Sequence, residues 1–430
     1  MSLLTINGLL PPLLIVLLAL ISATLLVRDT SANDQHQFAS LDGLRGFLAL
    51  MVFIHHSVFW FNYSHTGNWN GGPSTLYDSF GRASIALFFM LSGFLFTYKL
   101  LEGRTKEIDW LRLFSSRVMR LTPLYLALIA AVLVIITLRS SFTQYEDTSQ
   151  LLANIFSWLL FTIPGDPEIN AMPGTLQVSA GVPWTLPYEW YFYLCLPLLG
   201  VLLGTKNKAN PAIWLVISAI CLLTYTHWEL DTKLLWGFVA GGIAAAIVRT
   251  PWLRALHQGR GMSWIVLSGL IIAYTCFDDG YFYTRLLILG FCFICIACGN
   301  TLFGLLTWGP ARALSTVSYG IYLLHGLVLY CTFTFVLDLD TRQSLSETQH
   351  VLVVLAITPV IIGLASAAWY FIEWPAIRAT SRLTNQLRKF YSDQPAAIHP
   401  ANPAPVISDP EPVEATIPAT ASRTGGNHEH

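Results

Sequence analysis

The stretch LDGLRGFLALMVFIHH, Leu41–His56, sets one arginine and two adjacent histidines in an otherwise apolar run. A membrane-spanning helix needs about 20 mostly apolar residues, and the run extends over 42–62 to meet that length. An ideal helix advances about 100° per residue, so eleven steps return Arg45 and His56 to within about 20° of one face, roughly 16 Å apart along the axis. His55 points about 80° away from that stripe. Ionisable groups at membrane depth are costly and usually mark function. The spacing suits a long ligand with its head group at Arg45 and its reactive end near His56. The plainer alternative is a snorkelling arginine and a hydrogen-bonded core histidine.

Composition places this stretch in a membrane protein. The chain has 430 residues, of which 54% are hydrophobic and only 11% charged. Soluble domains carry about 25% charged residues. A net charge of −1 implies no nucleic-acid partner. The seven cysteines lie almost wholly in apolar runs, which argues against a disulfide framework. Cys292, Cys295 and Cys298 step about 60° around a helix each time, with no nearby histidine to complete a set, so no metal is expected.

Candidate spans fall near 6–27, 42–62, 83–100, 118–138, 184–203, 211–226, 234–248, 262–277, 283–303, 313–337 and 350–373. The fold class is therefore all-α, a polytopic transmembrane bundle. Pro11-Pro12 bears on where the first helix starts. One set of connections holds Arg104, Lys106, Arg112 and Arg117, then Lys206, Arg249, Arg254, Arg312 and Arg378. The alternate set is rich in acids: Glu146, Asp147, Asp166, Glu168, Glu229, Asp231, Asp338 and Asp340. The positive-inside rule makes the first set cytoplasmic. The long external loop 139–183 contains LLANIFSWLLFTIP, which reads as an interfacial helix. The Pro- and Ala-rich segment 393–430 reads as a disordered cytoplasmic tail.

Six stretches in order carry a family resemblance: LDGLRGFLALMVFIHH, IALFFMLSGFLF (85–96), RVMRLTPLYL (117–126), WTLPYEWYFYLCLPLL (184–199), SYGIYLLH (318–325) and YFIEWP (370–375). Together they resemble the integral-membrane acyltransferase family 3, the O-acetyltransferase-like proteins, whose first signature is a basic residue, ten residues, then histidine. The resemblance implies a ten-helix acyltransferase domain over 41–392, preceded by an extra N-terminal helix and loop in 1–40. Where family members often have an acid, this chain has Ala86, which receives no chemistry. The esterase-like domain fused to some members is absent from this sequence.

Under this resemblance each polar position acquires a role to be tested. Arg117 and Arg120 start a helix at the cytoplasmic side. Forked guanidinium groups pair well with phosphates, so with Arg45 they are the expected acyl-CoA site. Glu189 lies near the outer end of its run among Trp184, Tyr188 and Trp190. It would orient a histidine, bind a sugar hydroxyl or make a structural hydrogen bond. Ser318, Tyr322 and His325 share one helical face, and a buried polar seam is the preferred reading. Ser92-Gly93 suits close helix approach, and Glu373 suits an ion pair with Arg378. The resemblance implies an enzyme of the bacterial inner membrane with no permanently bound cofactor. It would move an acyl group, most simply acetyl, from cytoplasmic acyl-CoA to a hydroxyl of an extracytoplasmic or lipid-linked glycan. His56 would be the general base, or alternatively an acyl-carrying nucleophile, with Glu189 and Arg45 assisting. Besides donor and acceptor, the expected partner is membrane lipid. The rival reading is a transporter whose ionisable groups line a path. It would favour internal repeats and paired broken helices, and the sequence displays neither.

Overall fold

The computed structural model describes residues 4–27, 37–69, 74–206, 217, 231–256, 259–277 and 282–392. Among these all the regular structure is helical, with no strand. The helices are α1 (Leu10–Leu26), α2 (Ala39–Thr66), α3 (Thr75–Glu102), α4 (Trp110–Arg139), α5 (Thr148–Leu159), α6 (Leu186–Leu202), α7 (Leu235–Val248), α8 (Arg260–Thr275), α9 (Phe282–Ala297), α10 (Gly309–Thr316), α11 (Ser318–Cys331), α12 (Glu347–Ala368) and α13 (Trp374–Ser392). Ten of the spans read from the sequence fall on helices. The span at 211–226, apart from residue 217, and the tail at 393–430 lie outside the described residues. The chain divides after Thr384; of the second unit, 385–392 is described and is helical.

α2, α3, α4 and the helical runs beginning at Ser318 and Glu347 are long and apolar enough to cross a membrane. α1, α8, α9 and the helical run ending in α7 are shorter apolar helices. Local sequence sets several boundaries. α1 starts at Leu10, so Pro11 and Pro12 occupy its first turn, where no amide donor is needed. The Asp109 side chain caps α4 by accepting from the Arg112 N–H, and Ser346 with Gln349 forms a capping box on α12. α3 begins eight residues before its expected start. Leu76, Tyr77 and Phe80 supply an inward face there that Asp78 and Arg82 mask in a hydropathy reading.

α2 is the central element, packed by α3, α10 and α11. α12 lies against α11 and α1, while α7 lies along α3 and against α9. The α3–α7 contact is backbone to backbone. A β-carbon on Gly93 would run into the Phe238 carbonyl, and one on Gly241 into the Met90 carbonyl. The close approach expected at Ser92-Gly93 is therefore present. Cys292, Cys295 and Cys298 are buried small residues, with Cys292 filling the space beside Gly269.

The connection after α4 is a folded cap. Tyr125 in α4 donates to the Trp158 carbonyl at 2.6 Å, and the Trp158 indole donates to the Pro167 carbonyl at 2.8 Å. The Glu168 carboxylate accepts from the N–H groups of Gly174 (2.9 Å) and Thr175 (2.7 Å). Asn170 joins Tyr145 N–H to Thr143 C=O, both at 2.8 Å. The expected interfacial segment is helical as α5. It buries Asn154, Ser157 and Trp158 and exposes Leu152 and Phe156.

From this cap the chain turns back into the bundle. Gly326 of α11 touches the backbone of Ser179, and one turn nearer the start of α11 the Tyr322 and Thr185 hydroxyls meet at 2.7 Å. The chain thus descends about 6 Å along α11 before α6 begins. Irregular backbone is tolerated at such depth where protein surrounds it. Val182, Pro183 and Thr185 are all buried.

The glycine notches predict sensitivity to a single added methyl group. Gly241→Ala should destabilise the bundle by about 1–3 kcal/mol, the usual cost of overpacking. The measurement is thermal unfolding of the detergent-solubilised protein, with Gly261→Ala, which meets open space, as the neutral control.

Candidate functional site

Between α2, α3, α4, α6 and α11 lies a cavity of about 320 Å³. Arg45 from α2, Arg117 and Arg120 from α4, and Glu189 from α6 all line it. The three arginines read from the sequence as one donor site therefore share one space, and Glu189, read apart from them, lines it as well. Lys99 of α3 and Tyr193 of α6 also line it, as do Ile85, Phe88, Phe89 and Phe96 on an apolar wall. Neither Lys99 nor Tyr193 was singled out from sequence. Tyr193 was legible in principle, because it stands four residues after Glu189 and so shares its face.

Four cationic side chains and one carboxylate line the cavity, and with Asp42 paired to Arg45 an excess of two positive charges is left. Arg45 is held by Asp42 at 3.1 Å within the same helix. The Arg117 guanidinium lies 5.3 Å from the centre of the Phe96 ring, a cation–π contact. Tyr193 donates to a Glu189 carboxylate oxygen at 2.7 Å. The field of Arg117, Arg120 and Arg45 acts on that carboxylate. Such a chamber attracts an anionic ligand.

Glu189 is the position that the sequence misplaced. Counted from the edge of its apolar run, it falls in an outer aromatic belt. In the structure it lies among the arginines, because the cap enters the bundle and α6 starts at depth. Glu373 also differs from its expected pairing with Arg378. It is buried (2% exposed) on a π-helical turn, Trp369–Glu373, that packs on α4, while Arg378 stacks over Trp374 at 5.4 Å.

His56 does not line the cavity. It lies further along α2, buried against α11. Its Nδ1 is 3.0 Å from the Val52 carbonyl oxygen and 3.0 Å from Nε2 of His325. His325 in turn places its Nδ1 3.0 Å from the Ile321 carbonyl. Tyr322 lines the cavity, and its ring centre lies 6.4 Å from that of His325 and 5.6 Å from that of Phe88. The face of Ser318, Tyr322 and His325 is thus a polar seam, as expected, and it runs from the arginine chamber to His56. Spacing alone could not reveal His325 as the partner of His56, since 269 residues separate them. His55 turns the other way, with Nδ1 2.9 Å from the Tyr77 carbonyl and its ring against Gly81 of α3.

Comparison with known proteins agrees with this architecture. A family model described as an acyltransferase domain matches residues 38–370. The chain belongs to that family and is a multi-pass membrane acyltransferase. It is 25% identical over 383 residues to YrhL of Bacillus subtilis, named provisionally as a peptidoglycan O-acetyltransferase. That match covers 80% of this chain and 55% of YrhL, so the chain spans about half the length of that relative. It is 23% identical over 388 residues to nodulation protein 10 of Rhizobium leguminosarum bv. viciae, covering 83% of this chain and 96% of that protein. No solved structure matches.

The charge excess generates a prediction with opposite signs for stability and binding. Glu189→Gln should lower the thermal stability of the empty protein, because the Tyr193 hydrogen bond loses its charged acceptor, worth about 1–3 kcal/mol. The same change raises the cationic excess, so inorganic triphosphate should bind several-fold more tightly by calorimetry at low salt. That gain should shrink as salt screens it.

Proposed function

We propose that the chamber holds the phosphates of an acyl-CoA on Arg45, Arg117 and Arg120, and that His56 transfers its acyl group to a glycan hydroxyl. The observation that carries this reading is the excess of cations in a cavity whose polar seam leads to His56. The acyl group is most simply acetyl and the acceptor an extracytoplasmic or lipid-linked glycan, in keeping with the peptidoglycan O-acetylation named for the Bacillus relative. In the reaction, Nε2 of His56 takes the proton of the acceptor hydroxyl as its oxygen attacks the thioester carbonyl. The C–S bond breaks, the acyl–oxygen bond forms, and the imidazolium returns the proton to the departing thiolate. Glu189 acts on the donor side, steadying the arginines that receive it. Acyl-CoA is a substrate, and the reading calls for no resident cofactor.

The bias of basic residues puts the connection between α3 and α4 in the cytoplasm and the cap outside, as in a bacterial inner membrane. In cells expressing single-cysteine variants of a cysteine-free protein, an impermeant thiol reagent should label Gln144→Cys and spare Thr105→Cys. The reverse pattern would put the donor on the wrong side and defeat the proposal.

The decisive experiment is acyl transfer from labelled acetyl-CoA to envelope glycan by purified variants, with CoA binding measured alongside. Arg45→Ala, Arg117→Ala and Arg120→Ala should each weaken CoA binding by about 10- to 100-fold, the loss of a charged hydrogen bond. Lysine should rescue them partly, for want of the fork. His56→Ala and His56→Gln should bind CoA normally and lose about 10²–10⁴-fold in turnover, while His55→Ala stays active. Movement of substrate across vesicles without any acyl transfer would instead identify a transporter.

A further inference from the structure

We infer that His325 is a positioning residue: it accepts the Nδ1–H of His56 and so holds Nε2 of His56 unprotonated and aimed for catalysis. This inference rests on the reading of His56 as the base. It follows from what each neighbour can do chemically. A backbone carbonyl only accepts hydrogen bonds. The Ile321 carbonyl lies 3.0 Å from Nδ1 of His325, so that nitrogen carries the proton in a neutral ring. Nε2 of His325 is then a lone pair. It faces Nδ1 of His56 at 3.0 Å, and the Val52 carbonyl faces the same Nδ1 at 3.0 Å. Both are acceptors, so the Nδ1 proton of His56 is fixed by two partners and shared between them. The remaining nitrogen of His56, Nε2, holds the free lone pair a base requires.

The arrangement also favours the transition state over the ground state. As Nε2 takes the acceptor proton, His56 becomes an imidazolium, and its Nδ1–H bond to His325 becomes charge-assisted. Such bonds are roughly twice as strong as neutral ones. An interaction that strengthens along the reaction raises turnover without altering substrate affinity. The His325 ring is held for this task. It is fully buried, with ring centres of Phe53 and Tyr322 at 6.3 and 6.4 Å, and its neighbour Gly326 is pressed against Ser179 of the cap.

The test compares His325→Leu, His325→Gln and His56→Gln in the acetyl-transfer assay, with kcat and KM separated and CoA affinity as the control for folding. Leucine fills space without an acceptor. The glutamine carbonyl reaches about where Nε2 stands and restores one. Turnover of His325→Leu should fall by at least about 10-fold and at most by the 10²–10⁴-fold of losing the base itself, with KM for acetyl-CoA unchanged. His325→Gln should recover most of it. If His325→Leu fails to fold, His325→Gln alone carries the test. It keeps kcat within about 10-fold when an acceptor is what matters, since the general base it positions contributes about 10²–10⁴-fold. Wild-type turnover in His325→Leu would overturn the inference, as would a fall in His325→Gln to the level of His56→Gln. Full turnover in His56→Gln would instead remove the base itself, and this inference with it.

Discussion

Like charges gathered in an apolar bundle constrain everything around them. Arg45, Lys99, Arg117 and Arg120 face a single carboxylate in the chamber. Removing a charge from water costs several kcal/mol even after the protein relaxes, so the partly buried arginines need local partners, while Lys99 is exposed. Arg45 is answered by Asp42 within α2, Arg117 by the face of Phe96, and the group as a whole by Glu189. The second and third of these answers need elements from different parts of the chain. Helix α6 must therefore bring Glu189 to the depth of the arginines, which obliges the preceding chain to enter the bundle.

That obligation explains the elaborate cap. A segment that descends beside α11 carries backbone donors and acceptors away from water, and each must find a partner. The side chains of Asn154, Glu168, Asn170 and Thr175 supply many of them within the cap. Non-glycine residues with left-handed backbone, Phe161, Thr162, Asn170 and Ala180 among them, mark the sharp reversals. Strained backbone of this kind persists where its surroundings over-determine it. Here the surroundings are α4, through Tyr125, and α11, through Gly326.

What the sequence reveals follows from the range of the interactions concerned. Arg45 and His56 sit on one unbroken helix, so their spacing reports their geometry faithfully. Arg117 and Arg120 are read as well by the same means. Glu189 is misread because depth counted from a hydropathy boundary assumes that a loop stays outside, and this one does not. The His56–His325 contact, the Lys99 contribution and the burial of Glu373 depend on helices meeting across the bundle, and no local pattern encodes which faces meet. The seam of Ser318, Tyr322 and His325 is intermediate. Its shared face is local and legible, while its destination is not.

The Tyr322 layer has a bearing on the membrane itself. In the transfer proposed above, donor and acceptor lie on opposite sides of the bilayer, and a continuous polar path between them would leak protons and ions. Here the chamber ends against Phe88 and the hydroxyl-paired Tyr322 and Thr185, with the histidines behind them. The aromatic layer of Tyr322 and Phe88 interrupts such a path between the chamber and His325.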